Sequence, residues 1–91
     1  MPELEWKKKA IKQLDKLPDD VACDIEEKVS GLKNWPDIRQ LIVEKLTDDK
    51  QKRLKLVVGN YRVLWKLIKG QPVIIEIHEV RRRTTTTYKK R

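Results

Sequence analysis

Partway along this chain the spacing of its apolar residues changes. Ala10, Ile11, Leu14 and Leu17 recur on one helix face, with Lys and Gln between them, until Pro18 ends the pattern. Pro18-Asp19-Asp20 then opens a second series, Val21, Ile25, Val29 and Leu32, whose leading carboxylates suit the positive end of a helix dipole. The second helix is expected over roughly residues 19–33. After the loop Asn34-Trp35-Pro36-Asp37 the period becomes two, and Gln40–Leu46, Arg53–Val58, Tyr61–Ile68 and Val73–Val80 read as strands. Their connectors are Thr47-Asp48-Asp49-Lys50-Gln51, the two-residue hairpin signal Gly59-Asn60, and Lys69-Gly70-Gln71-Pro72. All are short enough for hairpins, which predicts an antiparallel meander. At the other end Leu4 and Trp6 alternate with Glu3 and Glu5 as a short half-buried strand. The expected fold class is α+β, with two N-terminal helices packed on a three- to four-stranded antiparallel sheet.

A chain of 91 residues suffices for a single domain over 1–91. No run approaches the ~20 apolar residues of a membrane span, and Met1-Pro2-Glu3-Leu4-Glu5-Trp6 is too acidic for a signal peptide. A cytoplasmic protein with no membrane partner is expected. Cys23 is the only cysteine and His78 the only histidine, so neither a disulfide framework nor a zinc cluster is expected, nor any metal or other cofactor. Cys23 reads as a packing residue, Trp65 as core, and Trp6 and Trp35 as core or partner-facing.

Charge divides unevenly. Residues 1–47 hold 9 basic and 10 acidic side chains, whereas residues 48–91 hold 13 and 4. The excess falls on the segment that reads as strands, which points to a rigid polyanion site, nucleic acid first among candidates. Alternation puts Leu54, Leu56 and Val58 on one face, and Tyr61, Val63, Trp65 and Leu67 on one face of the next strand. If the helices cover these, then Arg53, Lys55, Arg62 and Lys66 project from the other side. An open sheet face also carries Lys and Arg for solubility alone. The tail adds Arg81-Arg82-Arg83, the hydroxyls of Thr84–Thr87, and Tyr88-Lys89-Lys90-Arg91, in which a tyrosine among phosphate-binding residues offers a stacking plane for a base.

The run Arg53-Leu54-Lys55-Leu56-Val57-Val58-Gly59-Asn60-Tyr61-Arg62-Val63-Leu64-Trp65, with Val80-Arg81-Arg82-Arg83 and Tyr88, resembles the RelE/ParE superfamily of toxin-antitoxin toxins. Ala10, Leu14 and Lys16-Leu17-Pro18 resemble that family's first helix and its break, so the likeness spans nearly the whole chain. The RelE branch consists of ribosome-dependent mRNA endonucleases and the ParE branch of gyrase poisons. RelE-type positions fall on Arg53, Lys55, Arg62, Arg82 and Tyr88, a set that gyrase poisons generally lack. The resemblance therefore implies an mRNA interferase, partnered by mRNA on the ribosome and by a cognate antitoxin, with a toxin-antitoxin hetero-oligomer as the resting form. A ParE-like gyrase inhibitor and a non-catalytic RNA-binding module are the alternatives. The usual first strand position is Lys; here it is Arg53, which cannot readily act as a general base.

Metal-free RNA cleavage uses the ribose 2′-OH as nucleophile on the adjacent phosphate and passes through a dianionic state that needs cations. Arg62 and Arg82 present planar forks to phosphate oxygens. Like charge at Arg53 and Arg62 favours a neutral amine at Lys55, the expected general base, and Tyr88 stacks or lends a proton. Arg53, Lys66, Arg81, Arg83, Lys89 and Lys90 are the expected RNA contacts. His78 is expected to share a face with Ile74, Glu76 and Val80 and to be structural, and Glu76 to pair with cations of the strands.

Overall fold

The computed structural model describes residues 2–83. The first apolar series forms helix α1 (Lys8–Asp15), and the second forms α2 (Asp19–Gly31), tightening into a 3-10 turn over Leu32–Asn34. Pro18 stands at the N-cap of α2 and Asp19 and Asp20 occupy its first turn, as the sequence predicts. α1 buries Ala10 and Leu14 against the last strand, while Ile11 is left exposed, because so short a helix meets its support along one narrow stripe. α2 buries Ile25 and Val29.

The strands are β1 (Glu3–Trp6), β2 (Ile42–Lys45), β3 (Leu54–Val58), β4 (Tyr61–Ile68) and β5 (Ile74–Arg82). They form one sheet in the order β1-β5-β4-β3-β2. β2 to β5 make the expected meander; Gly59 supplies its β3–β4 turn with φ +55, a left-handed conformation open to glycine at no steric cost. The sheet is wider than expected and mixed, since β1 adds a fifth strand parallel to β5, pairing Glu3 through Trp6 with Ile74 through Ile77. Pairing the first strand with the last satisfies that stretch of edge and turns Leu4 and Trp6 toward the core.

Strict alternation along β5 fails at one residue. Leu64 pairs with Glu79 but the next residue, Trp65, pairs with Ile77, so His78 is the extra residue of a β-bulge. Val80 thereby lies with Ile75 and Ile77 in the core instead of beside His78 and Glu76. The freed Val80 N–H donates to Gln13 Oε1 of α1 at 2.7 Å, which ties helix and bulge together. The core between helices and sheet joins Ala10, Leu14, Ile25, Val29 and Leu32 to Leu56, Val58, Val63, Trp65, Ile75, Ile77 and Val80. Burial of these apolar faces is the main stabilising term.

Candidate cationic site on the open face of the sheet

Paired residues of neighbouring strands share a face, so the register shows which side chains meet on the side the helices leave open. Lys55 stands between Glu44 and Leu64, and Leu64 in turn beside Glu79. Val57 stands beside Arg62, and Arg62 beside Arg81. Lys66 stands beside Glu76. Arg53, just before β3, reaches the same face. The fold thus brings together Arg53, Lys55, Arg62, Lys66 and Arg81.

Arg53 differs from the others. Its Nη2 and Nε donate to Asp49 at 2.9 and 3.2 Å, its backbone N–H to Asp49 at 2.8 Å, and its Nη1 to Glu79 Oε2 at 3.2 Å. The Arg53 and Glu79 side chains are only 12% and 13% exposed. This pair crosses β4 over Leu64, which is 1% exposed although it points away from the helices. Leu64 and the Arg53–Glu79 pair form a floor. Glu79 also accepts from Arg81 Nε at 2.9 Å and meets Lys9 Nζ at 3.5 Å.

Hydrogen bonds from the Arg53 side chain and backbone hold the Asp49 carboxyl down to about 2. Its partner's guanidinium is pushed up in turn, chiefly by the Asp49 hydrogen bond. Burial pushes Glu79 up, but the hydrogen bond and charge of Arg81, with Arg53 and Lys9, outweigh it and leave the carboxyl below its usual range.

Around the floor stand cations that are less engaged. Lys55 Nζ lies 3.4 Å from the exposed Glu44 carboxylate. Arg62 folds back on its own hairpin, its Nη1 donating to the carbonyls of Gly59 and Tyr61 at 3.1 and 2.9 Å. Arg81 is exposed. With Arg53 neutralised by two carboxylates and Lys55 beside Glu44, the uncompensated like charge expected at Lys55 is reduced to Arg62 alone.

Arg82 is not brought to Arg62. It pairs with Tyr61, whose side of the sheet is that of the helices, and Arg81 takes the place beside Arg62. The Arg83 N–H donates to Asn60 O at 2.6 Å, fastening the end of β5 to the hairpin, and its side chain is exposed. Tyr88, Lys89, Lys90 and Thr84–Thr87 lie outside the described residues.

At the bulge, beside Leu64, His78 Nε2 and Glu76 Oε1 are 3.0 Å apart. Glu76 also meets Lys7 Nζ at 3.3 Å, and Lys7 meets Glu5 at 3.2 Å. The hydrogen bond from His78, then that from Lys7, keeps Glu76 below its usual range against the opposing effect of burial. Glu76 is thus an ion-pair partner, of Lys7 and not of a strand cation. Sequence reasoning missed Asp49 and Glu79. A signal existed: residues 48–91 hold only 4 acidic side chains among 13 basic ones, and two of the four, Asp49 and Glu79, pair with Arg53 of this face. Among the described residues no three His, Cys, Asp or Glu side chains gather as metal ligands, and no helix is long and apolar enough to cross a membrane.

Two helices on one side of a five-stranded mixed sheet give the chain the RelE-like toxin fold. The archaeal RelE-RelB complex from Pyrococcus horikoshii OT3 superposes with a TM-score of 0.73 at 21% identity, over 92% of this chain and 97% of that one. The RelBE2 toxin-antitoxin complex of Mycobacterium tuberculosis gives 0.72 at 23% identity, over 89% and 96%. The isolated E. coli RelE toxin gives 0.67 at 20% identity, over 93% and 87%. No protein-family model and no curated protein matches the sequence.

Proposed function

We propose that this chain, as a single RelE-like domain over 1–91, is the toxin of a toxin-antitoxin pair and a metal-independent endoribonuclease that cleaves mRNA in the ribosomal A site. The observation that carries this reading is the cluster of Lys55, Arg62, Lys66 and Arg81 on one rigid face of a fold shared with RelE toxins. Four cations around a floor of Leu64 and an already paired Arg53 suit a phosphodiester whose charge grows during reaction. Arg62, on releasing the two carbonyls of its own hairpin, offers a fork to the phosphate oxygens, with Arg81 beside it. Arg82, at the last residue of β5, reaches that phosphate only round the end of the strand. Lys55 moves a proton, and Tyr88 stacks on a base. Lys66, Arg83, Lys89 and Lys90 hold the message, while Arg53 shapes the floor.

Orientation of the message falls to the ribosome, which supplies the alignment that a free, mobile strand lacks. The partner in the resting state is a cognate antitoxin with an acidic or amphipathic segment that neutralises the basic half, as a hetero-oligomer in the cytoplasm. RelE and RelB form toxin-antitoxin complexes in the neighbouring structures, which supports a protein antitoxin. The test is incubation of purified protein with mRNA, with and without ribosomes. The expected result is cleavage only on ribosomes, with products ending in a 2′,3′-cyclic phosphate. Intact mRNA on ribosomes, or equal cleavage without them, contradicts the reading.

A further inference from the structure

Lys55, Arg62, Lys66 and Arg81 are ordinarily cations at neutral pH and poor acceptors of a proton, whereas the same face carries one imidazole. We propose that His78, positioned by Glu76, is the general base of the cleavage and that Lys55 is the acid; the proposal rests on the nuclease reading above and names the proton carriers of that site. The β-bulge is the first support. Two residues of β5, His78 and Glu79, stand against the single Leu64 of β4, so both turn to the open face while Val80 returns to the core.

The second support is the hydrogen bond at 3.0 Å between His78 Nε2 and Glu76 Oε1. An ionised carboxylate only accepts, so Nε2 is the donor of this bond, and in the neutral imidazole Nδ1 is then the nitrogen with a lone pair. Lys7 holds Glu76 from the β1 side at 3.3 Å, which fixes the orienting carboxylate in turn. A base held by a second group, itself held by a third, is the arrangement that acid–base catalysis requires.

The third support is the position relative to Lys55. Lys55 on β3 and the bulge on β5 flank Leu64 on β4, about 10 Å apart at ~4.8 Å per strand. Lys55 Nζ reaches outward to Glu44 of β2; on turning inward over Leu64 it leaves room for one phosphodiester between itself and the imidazole. The imidazole touches Glu76; around it stand Glu79 of β5, Lys66 of β4 beside Glu76, Lys7 and Glu5 on the β1 side, Lys9 of α1 and Arg53 at Glu79, and Lys55 of β3 beyond Leu64.

In the step, the 2′-OH proton passes to His78 Nδ1 as the 2′ oxygen bonds to phosphorus. The bond from phosphorus to the 5′ oxygen breaks, and that oxygen takes a proton from the Lys55 ammonium. The products are a 2′,3′-cyclic phosphate and a 5′-hydroxyl, and proton exchange with water restores both side chains.

The test is single-turnover cleavage of ribosome-bound mRNA from pH 5 to 8.5 with wild type, His78→Gln, Glu76→Gln and Glu76→Asp, thermal melts confirming that each variant is folded. Wild type is expected to show a rate rising with pH and levelling off near neutrality. His78→Gln is expected to lose that rise and to fall by about a hundredfold or more. Glu76→Gln, which keeps an acceptor but removes its charge, is expected to slow cleavage while keeping the rise, and Glu76→Asp to recover part of the rate. If His78→Gln does not fold, the wild-type profile decides alone: a rise supports the proposal and a flat profile overturns it. A folded His78→Gln within about threefold of wild type, with the same profile, overturns the proposal and leaves the nuclease reading standing. Wild type that leaves the message intact overturns both.

Discussion

Arg53 Nη1 and Glu79 Oε2 meet at 3.2 Å across β4, a strand to which neither residue belongs. This contact, with Asp49 behind it, makes a guanidinium only 12% exposed part of the framework of the basic face. It covers Leu64, neutralises Arg53, and leaves Lys55, Arg62, Lys66 and Arg81 as the less engaged cations of the face.

Arg53→Lys follows directly. A lysine is a point charge with no fork, so it cannot keep Asp49 and Glu79 together. The partly screened pair makes the loss modest, about 1 kcal/mol, which for a chain this size lowers Tm by roughly 4–8 °C. Below that temperature cleavage is expected to persist. An Arg53→Lys variant that melts like wild type yet does not cleave would mean that Arg53 holds phosphate directly.

Acid stability follows from Asp49. Its carboxyl is lowered from an ordinary 3.8 to about 2, so its contribution is fully present above about pH 4 and is lost as pH falls through 2. Glu76 and Glu79 are lowered as well and act in the same direction. Thermal melts from pH 7 to pH 2 are expected to be level at first and then to fall below about pH 4.5. Asp49→Asn is expected to be less stable at pH 7 and to flatten the lower part of the curve. An unchanged slope would remove Asp49 from the explanation.

Leu64→Ala separates the open face from an ordinary solvated one. A side chain that is 1% exposed loses about 2–5 kcal/mol on truncation, whereas Ile42→Ser, at a residue 60% exposed on the edge strand, is expected to cost well under 1 kcal/mol. Urea denaturation of both variants measures the contrast. Equal small losses would mean that the floor over Leu64 is not formed in solution.

Which parts of this were legible in the sequence follows from the range of the interactions. The helices and β2 to β5 are written in local periodicity, and Pro18, Gly59 and Asn60 mark their breaks. The parallel pairing of β1 is not, because it joins residues 3–6 to residues 74–77 and no spacing records a partner so distant. The bulge at His78 escaped because counting by twos carries no sign of an inserted residue, and that one residue decides that Val80 is core and Glu79 is not. It was legible that Arg53, Lys55, Arg62 and Lys66 share a face. That Arg53 is neutralised there was not, since Glu79 lies 26 residues away. Nor was it legible that Arg81, and not Arg82, stands beside Arg62.

Arg62 carries the most direct test of the whole reading. Its guanidinium bonds only to carbonyls of its own hairpin among the described residues, so Arg62→Ala is expected to change stability by no more than about 0.5 kcal/mol. The measurement is primer extension on mRNA from cells briefly expressing wild type or Arg62→Ala. Breaks within translated codons with wild type, and none with an equally folded and equally abundant Arg62→Ala, are the predicted result. Intact message with wild type, or the same breaks with Arg62→Ala, would contradict cleavage at this face.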